Sequence, residues 1–117
     1  MGSEKFRIAI PTKGQGGLED VVSEVFGRAE TFTIVDVKEG LTKNVKILKN
    51  PAISYKYGAG PIVVKMLMDL EVDIVIASEF GLGVSTLLEQ HDVPKILVEA
   101  GTSLKESIKK AVNLVRK

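Results

Sequence analysis

Three glycine-rich stretches are the part of this sequence best suited to binding chemistry. They are Thr12-Lys13-Gly14-Gln15-Gly16-Gly17, Gly58-Ala59-Gly60 and Ser78-Glu79-Phe80-Gly81-Leu82-Gly83. Glycine allows a ligand to approach the backbone closely, and a helix that begins after such a turn adds partial positive charge. The pattern therefore predicts a pocket for an anionic or polar ligand. The alternative interpretation is that these glycines only form tight turns and helix caps.

None of the three stretches completes a known phosphate motif. Thr86 stands where the dinucleotide fingerprint would need its third glycine, and no Ser or Thr follows Lys13-Gly14 as in a P-loop. Arg28 could reach the pocket, or it could pair with Glu24 or Asp20. The predicted ligand-binding residues are Thr12, Lys13, Gly14, Gly16, Gly17, Arg28, Gly58, Gly60, Ser78, Gly81 and Gly83.

Side chains for metal binding or nucleophilic catalysis are scarce. The chain has no cysteine and one histidine, His91, which we expect at the surface near a helix end. One histidine without cysteine does not make a zinc site. The acidic residues Glu19, Asp20 and Glu24 are either a carboxylate cluster or, as we favour, the solvated face of a short helix. We therefore predict no metal site, no catalytic residues and no enzymatic activity.

Composition limits the class of protein and its partners. A length of 117 residues fits one domain over 1–117, with residues 1–5 expected to be flexible. Sixteen basic and 15 acidic residues give a net charge of +1, which argues against nucleic acid as a partner. No apolar run is long enough to span a membrane, and the polar start is not a signal peptide. The expected location is the cytoplasm.

Hydrophobic periodicity predicts the element order β, short α, β, β, then αβαβα. Leu18, Val21, Val22 and Val25 have the spacing of a short helix, which Gly27 would end. Pro11 is expected to stop the first strand, and Ser103 with Glu106 forms a capping box. The predicted strands are 6–10, 31–37, 45–48, 73–77 and 95–98, and the remaining helices are 61–71, 84–90 and one beginning after Ser103.

The connections between strands predict where a ligand would bind. The second strand runs antiparallel to the first and third, and strands reached through a helix run parallel to the first. The loops 11–17, 50–60, 78–83 and 99–103 then share one rim, at the carboxyl ends of most strands, where open α/β sheets bind ligands. The third strand is a short edge, so self-association is possible and the oligomeric state stays open.

Three segments together resemble a known family. Ile8-Ala9-Ile10-Pro11-Thr12, the stretch from Gly17 to Ala29 with its Ser-Glu-x-Phe-Gly-Arg-Ala motif, and Gly58-Ala59-Gly60 are similar to the dinitrogenase iron–molybdenum cofactor biosynthesis family. The resemblance implies an α/β fold of three α/β/α layers, ribonuclease H-like, with a mixed five-stranded sheet of order 3-2-1-4-5 and an antiparallel second strand.

The resemblance also implies a function. Members in the nitrogenase pathway bind or carry iron–sulfur precursors of the cofactor, so this chain is expected to be a non-enzymatic carrier of a metal-cofactor or other small ligand. The family commonly has histidine where this chain has Val25, and often has histidines in the loop that is Pro51 to Tyr57 here. The ligand is therefore left open. The alternatives are a module for small anions or nucleotides and a metal-dependent nuclease, which the acid-free strand 6–10 disfavours.

Overall fold

A mixed five-stranded sheet of order β3-β2-β1-β4-β5 forms the middle layer of the protein. The computed structural model describes residues 5–115. The strands are β1 (Lys5–Thr12), β2 (Thr31–Lys38), β3 (Leu41–Lys49), β4 (Ile74–Ala77) and β5 (Lys95–Leu97). The helices are α1 (Ala59–Asp69), α2 (Leu82–Gln90) and α3 (Leu104–Val115). Strand β2 is antiparallel to β1 and β3, while β4 is parallel to β1 and β5. The predicted sheet order and strand directions are confirmed.

The antiparallel half of the sheet is joined by a two-residue turn. Glu39 and Gly40 have φ angles of 55° and 81° between the paired residues Lys38 and Leu41. Positive φ at both central positions is the backbone of a type I′ turn, which matches the twist of the flanking strands. The tight turn lets β3 begin at Leu41, four residues earlier than the predicted 45–48. Its polar residues are tolerated because β3 lies at the edge of the sheet.

The two faces of the sheet carry separate hydrophobic cores. On one face, residues such as Ile34 and Val75 pack with α1 and α2 through Val63, Leu67 and Leu88. On the other face, Ile8, Ile10, Val35 and Ile76 of the strands pack against α3 through Leu104, Ile108 and Ala111. Strand β4 is buried throughout because both layers cover it. The arrangement confirms the expected α/β/α layering.

The helix predicted over Leu18 to Val25 is wrong. This segment makes backbone contacts with two distant parts of the chain instead. Val22 N donates to Thr102 O at 2.9 Å, and Ser23 N donates to Pro11 O at 2.9 Å. A helix would have to direct these N–H groups to carbonyls within the segment. Backbone pairing with distant residues therefore decides the conformation of this segment, although its apolar spacing also fits a helix. Gly27 accordingly does not end a helix.

Several predicted boundaries also change. Pro11 does not stop β1, because the strand continues beside β2 to Thr12, whereas its pairing with β4 involves Ile8 and Ala9. A proline with a single strand neighbour removes little from the ladder. Helix α1 begins at Ala59 and ends at Asp69, earlier than the predicted 61–71. Of the start expected to be flexible, Lys5 opens β1 and residues 1–4 lie outside the described part.

One of the two hydrogen bonds of the predicted capping box at the start of α3 is present. Glu106 N donates to Ser103 Oγ at 3.1 Å, which satisfies one of the free amides of the first turn. None of the helices described within residues 5–115 has the length and apolar character needed to cross a bilayer.

An ion pair fastens β1 to β2 at the end of the sheet opposite the predicted ligand rim. Arg7 Nε lies 2.7 Å from Asp36 Oδ1, and a terminal guanidinium nitrogen of Arg7 also donates to Leu70 O after α1. The hydrogen bond from Arg7 lowers the pKa of Asp36 and outweighs the opposing effect of burial. The pair therefore links both strands to the end of a helix.

We expect Asp36→Asn to lower the free energy of unfolding at pH 7 by about 1 kcal/mol. Because the folded pKa is depressed, this stabilisation is present above the unfolded Asp value of about 3.9 and is lost as the pH falls through the folded pKa. Urea unfolding at pH 7 and at pH 2 measures the difference. Asp69→Asn, which breaks an exposed pair with Lys65, is the control and should change little. Equal effects of Asp36→Asn at both pH values would contradict the assignment.

Candidate functional site

A groove of about 430 Å³ opens between the beginnings of α1 and α2 at the predicted rim. Strand β3 ends before α1 and β4 ends before α2, so both helices start at this rim. The segment around Phe26 forms a third side. The lining residues are Val25, Phe26, Gly27, Arg28, Lys56, Tyr57, Gly58, Ala59, Gly60, Glu79, Gly81 and Val84.

Neither helix beginning at the groove has a side-chain cap. Gly58 precedes α1 and Gly81 precedes α2, and neither position has a side-chain capping hydrogen bond. Neither first turn contains an acidic residue. Each helix N-terminus carries roughly half a positive charge from its aligned peptide dipoles. The groove therefore lies beside two positive helix ends that no carboxylate of these turns offsets.

Close backbone contact brings the three sides of the groove together. A Cβ placed on Gly60 would lie 2.7 Å from Cγ2 of Val84 in α2. A Cβ on Gly27 would lie 3.2 Å from the backbone nitrogen of Gly60. Both distances are shorter than ordinary contacts. Gly60 and Gly27 thus have a packing role, and replacing Gly60 with a larger residue would disturb the fold as well as a ligand.

Gly81 and Gly83 differ from these packing glycines. A Cβ on either residue would meet no atom within 4 Å, and Gly81 has φ −58°, which any residue adopts. Neither the backbone nor the packing explains why these two positions are glycine. Gly81 lines the groove, whereas Gly83 follows it inside the first turn of α2.

Two cationic side chains and one carboxylate line the groove. Arg28 donates from a terminal nitrogen to Lys56 O at 2.6 Å, which holds the loop before α1. Arg28 therefore does not form the alternative pair with Glu24 or Asp20 among the described contacts. With Lys56 and Glu79 also in the lining, the side chains add one net positive charge to the two helix ends.

The first glycine loop already holds an anion of the protein itself. Asp20 Oδ2 accepts from Gly14 N at 2.9 Å and from Gly16 N at 2.8 Å, and Asp20 Oδ1 accepts from Val21 N at 2.7 Å. Gly17 N donates to Thr33 Oγ1 at 3.0 Å. The amides expected to bind a ligand are therefore bonded within the protein. Asp20 belongs neither to a solvated helix face nor to a carboxylate cluster.

The other predicted residues lie apart from the groove. Thr12 is fully buried and hydrogen-bonds to Thr31 and Thr33, while Lys13 is exposed beside the Asp20 loop. Ser78 donates to Ser23 O at 2.8 Å and lines a separate cavity. Of the predicted ligand-binding residues, the structure brings four together in the groove: Arg28, Gly58, Gly60 and Gly81.

Eight groove residues were not among the predicted contacts: Val25, Phe26, Gly27, Lys56, Tyr57, Ala59, Glu79 and Val84. Lys56 and Tyr57 directly precede Gly58, so their place in the loop before α1 was a usable signal. Val25 and the loop 51–57, where the resemblance led us to expect histidines, both contribute to this groove. Val25 was hidden because a buried helical face had been expected, whereas its side chain is 42% exposed.

His91 lies at the other end of the molecule. It follows α2 as its C-cap and is exposed, which confirms the expected position at a helix end. It lines a cavity that also contains Arg7 and Asp36. Across residues 5–115, no group of three or more His, Asp or Glu side chains is arranged to hold a metal ion.

Comparison with known proteins identifies the family. The family model described as dinitrogenase iron-molybdenum cofactor matches residues 4–114. This chain belongs to that family. The uncharacterized protein MJ0580 of Methanocaldococcus jannaschii is 28% identical over 88 residues, covering 75% of this chain and 74% of the relative. The resemblance inferred from the three sequence segments is therefore confirmed.

Solved structures of similar proteins share the fold. A Thermotoga protein, TM1290, provisionally named a NifB protein, is 33% identical with a TM-score of 0.73 and covers 92% of this chain and 88% of its own. The apo form of the orange protein from Desulfovibrio gigas is 21% identical with a TM-score of 0.82, covering 96% and 91%. At that identity the orange protein supports the fold alone. Both solved structures thus share the fold of this chain.

Removing the Asp20 carboxylate should both destabilise the first loop and open its amides. We expect Asp20→Ala to lower the free energy of unfolding by about 1–3 kcal/mol, because three amides lose a charged acceptor. Sulfate should then raise the melting temperature of Asp20→Ala more than that of the unmodified chain. Asp20→Asn, which keeps one oxygen acceptor, should fall between them. Equal stability of all three proteins would show that the loop does not depend on Asp20.

Proposed function

We propose that this chain is a non-enzymatic carrier of an anionic metal–sulfur species related to the iron–molybdenum cofactor, bound in the groove between α1 and α2. The observation that carries the proposal is the pair of uncapped helix N-termini at one groove in a member of this family. Such helix ends favour anions and supply free N–H donors. The cargo enters as a ligand with its own charge, so no resident metal is needed.

The charges in the lining support an anionic cargo. The groove lining has two cationic side chains, Arg28 and Lys56, and one carboxylate, Glu79. The dipoles of the two helices add further positive charge. Arg28 is tied to the loop by one hydrogen bond, which leaves its other guanidinium donors for a ligand. Anion binding here would rest on electrostatics and backbone N–H groups.

The donor set of the groove argues for a cargo that keeps its own ligands. The lining contains no thiolate, no imidazole and no hydroxyl other than that of Tyr57. Thiolates and imidazoles are the side chains that usually bind iron in clusters. A metal–sulfur species would therefore be held through its sulfide shell and overall charge. This mode also permits release, because no bond from protein to metal has to break.

The same lining supports a carrier rather than an enzyme. General acid–base and nucleophilic catalysis need a titratable group beside a reacting atom, most often His, Cys, Ser or a carboxylate. Glu79, Lys56 and Tyr57 are the acid–base groups of this kind in the groove lining, and no ion pair between described residues joins any two of them. Binding and release require no such group.

A small-anion module remains the second candidate. The uncapped helix ends and the cationic side chains suit inorganic phosphate or a nucleotide phosphate as well as a sulfide cluster. The volume of about 430 Å³ lies within the range of ordinary small-molecule sites. The two candidates differ in whether metal and sulfide are needed for binding.

A carboxylate at position 81 should close the groove to anions without harming the fold. Gly81→Asp would cap α2 and place negative charge in the groove, and its Cβ meets no atom within 4 Å. Gly81→Asn caps the helix equally well but is neutral. We expect the free energy of unfolding of both variants to lie within about 0.5 kcal/mol of that of the unmodified chain. Gly81→Asp should bind the cargo at least about tenfold more weakly than Gly81→Asn, a loss of about 1.4 kcal/mol.

The measurement is anaerobic reconstitution with ferrous iron, molybdate and sulfide, followed by desalting and a visible spectrum. Absorbance retained by the unmodified chain and by Gly81→Asn, and lost in Gly81→Asp, would support the proposal. If the unmodified chain retains none, the metal–sulfur carrier function is wrong. If phosphate alone then raises the melting temperature, the small-anion function takes the place of the carrier function. At 100 times its dissociation constant, phosphate should stabilise the folded chain by about 2.7 kcal/mol.

A further inference from the structure

The two edges of the sheet are built differently. Strand β5 has three residues, and Lys110 Nζ donates to Leu97 O at 2.9 Å on that side. Strand β3 has nine residues, and within residues 5–115 its backbone hydrogen bonds go to β2. Alternate N–H and C=O groups of an antiparallel edge strand point away from its neighbour. Strand β3 is therefore open to an added strand.

A bulge limits where such pairing can occur. The register passes from Asp36 opposite Asn44 to Val37 opposite Thr42, so Lys43 is an extra residue. A bulge twists the edge and interrupts pairing. The six residues from Asn44 to Lys49 lie beyond it and pair regularly with β2. This stretch, Asn44–Lys49, is the usable edge.

The charge of this edge selects the kind of strand it would accept. Residues 41–49 include Lys43, Lys46 and Lys49 and no acidic residue, and these lysines form no ion pair with a described residue. Pairing with β3 of a second copy would bring together two strands that carry lysines and no acidic residue, and like charges across a ladder destabilise a sheet. An acidic strand would instead place opposite charges across the new ladder.

A cavity at the end of β3 adds a place for an apolar side chain. It has a volume of about 720 Å³ and is lined by Ile47 and Lys49 of β3 and by Ile53. Ile47 and Ile53 are 47% and 36% exposed, which leaves apolar surface uncovered at its walls. Glu30 also lines the cavity, so acidic side chains of a partner are expected along Lys46 and not inside it.

We propose that Asn44–Lys49 binds an extended, acidic segment of a partner protein as a sixth strand, with one apolar side chain of that segment between Ile47 and Ile53. Strand addition supplies affinity through the main chain, while the lysines and the cavity supply specificity. The surface lies outside the groove lining and goes beyond the carrier function. The two proposals can therefore fail separately.

The test uses the full chain and a fluorescent seven-residue peptide of alternating Glu and Val with blocked ends. Fluorescence anisotropy at low salt measures its affinity, and hydrogen exchange of the β3 amides reports strand pairing. We expect binding with slower exchange in residues 44–49. Lys46→Glu should weaken binding about tenfold, while the control Lys109→Glu, an exposed lysine on α3 with the same change in charge, should change it less than about twofold.

Three results would overturn the proposal. The first is no binding of the Glu–Val peptide, and the second is equal weakening by Lys46→Glu and Lys109→Glu, which would indicate general charge attraction. The third is equal affinity for a Lys–Val peptide, which would indicate an edge without charge preference. Sedimentation of the chain alone checks the competing occupant, because a dimer whose formation slows hydrogen exchange in residues 44–49 would assign this edge to a second copy.

Discussion

The contact between the beginnings of α1 and α2 is the constraint on which the candidate groove depends. Gly60 and Gly27 have no side chain, and the approach of Val84 and the Gly60 backbone leaves no room for one. The same contact fixes both helix N-termini at one side of the sheet. This contact holds two partial positive charges close together despite their mutual repulsion. Packing of the core formed by Val63, Leu67 and Leu88 provides the opposing stabilisation.

Backbone N–H groups need hydrogen-bond acceptors, and the two glycine-rich regions at the rim differ in where those acceptors come from. In the first loop, the amides of Gly14 and Gly16 bind the carboxylate of Asp20, so the anion is part of the chain. At the groove, neither helix end has a capping side chain. The first region is therefore structural, joining the end of β1 to the start of α3. The second is the one suited to binding.

The groove and the open edge lie near each other along the chain. Strand β3 ends at Lys49, and the loop that follows it leads to Lys56, Tyr57 and α1. One connection thus carries the apolar wall of the cavity, Ile53, and part of the groove lining. A carrier needs a place for its cargo and a place for the protein that receives it. In this fold the same loop borders both surfaces.

The sequence by itself determined the strand directions, which follow from hydrophobic periodicity and connection lengths, and the family, which follows from a contiguous motif. The sheet order was implied by the resemblance to that family. The sequence also placed Gly58, Gly60 and Gly81 at one rim, and left Arg28 open between that rim and an ion pair with Glu24 or Asp20. Only the tertiary structure decided the path of residues 18–25, since an apolar spacing fits a helix and a bridging segment equally well. It likewise decided which glycine amides are free, because Asp20 is not distinguished from a solvated carboxylate until its partners are known. Local patterns specify elements, whereas the use of a donor depends on what folds against it.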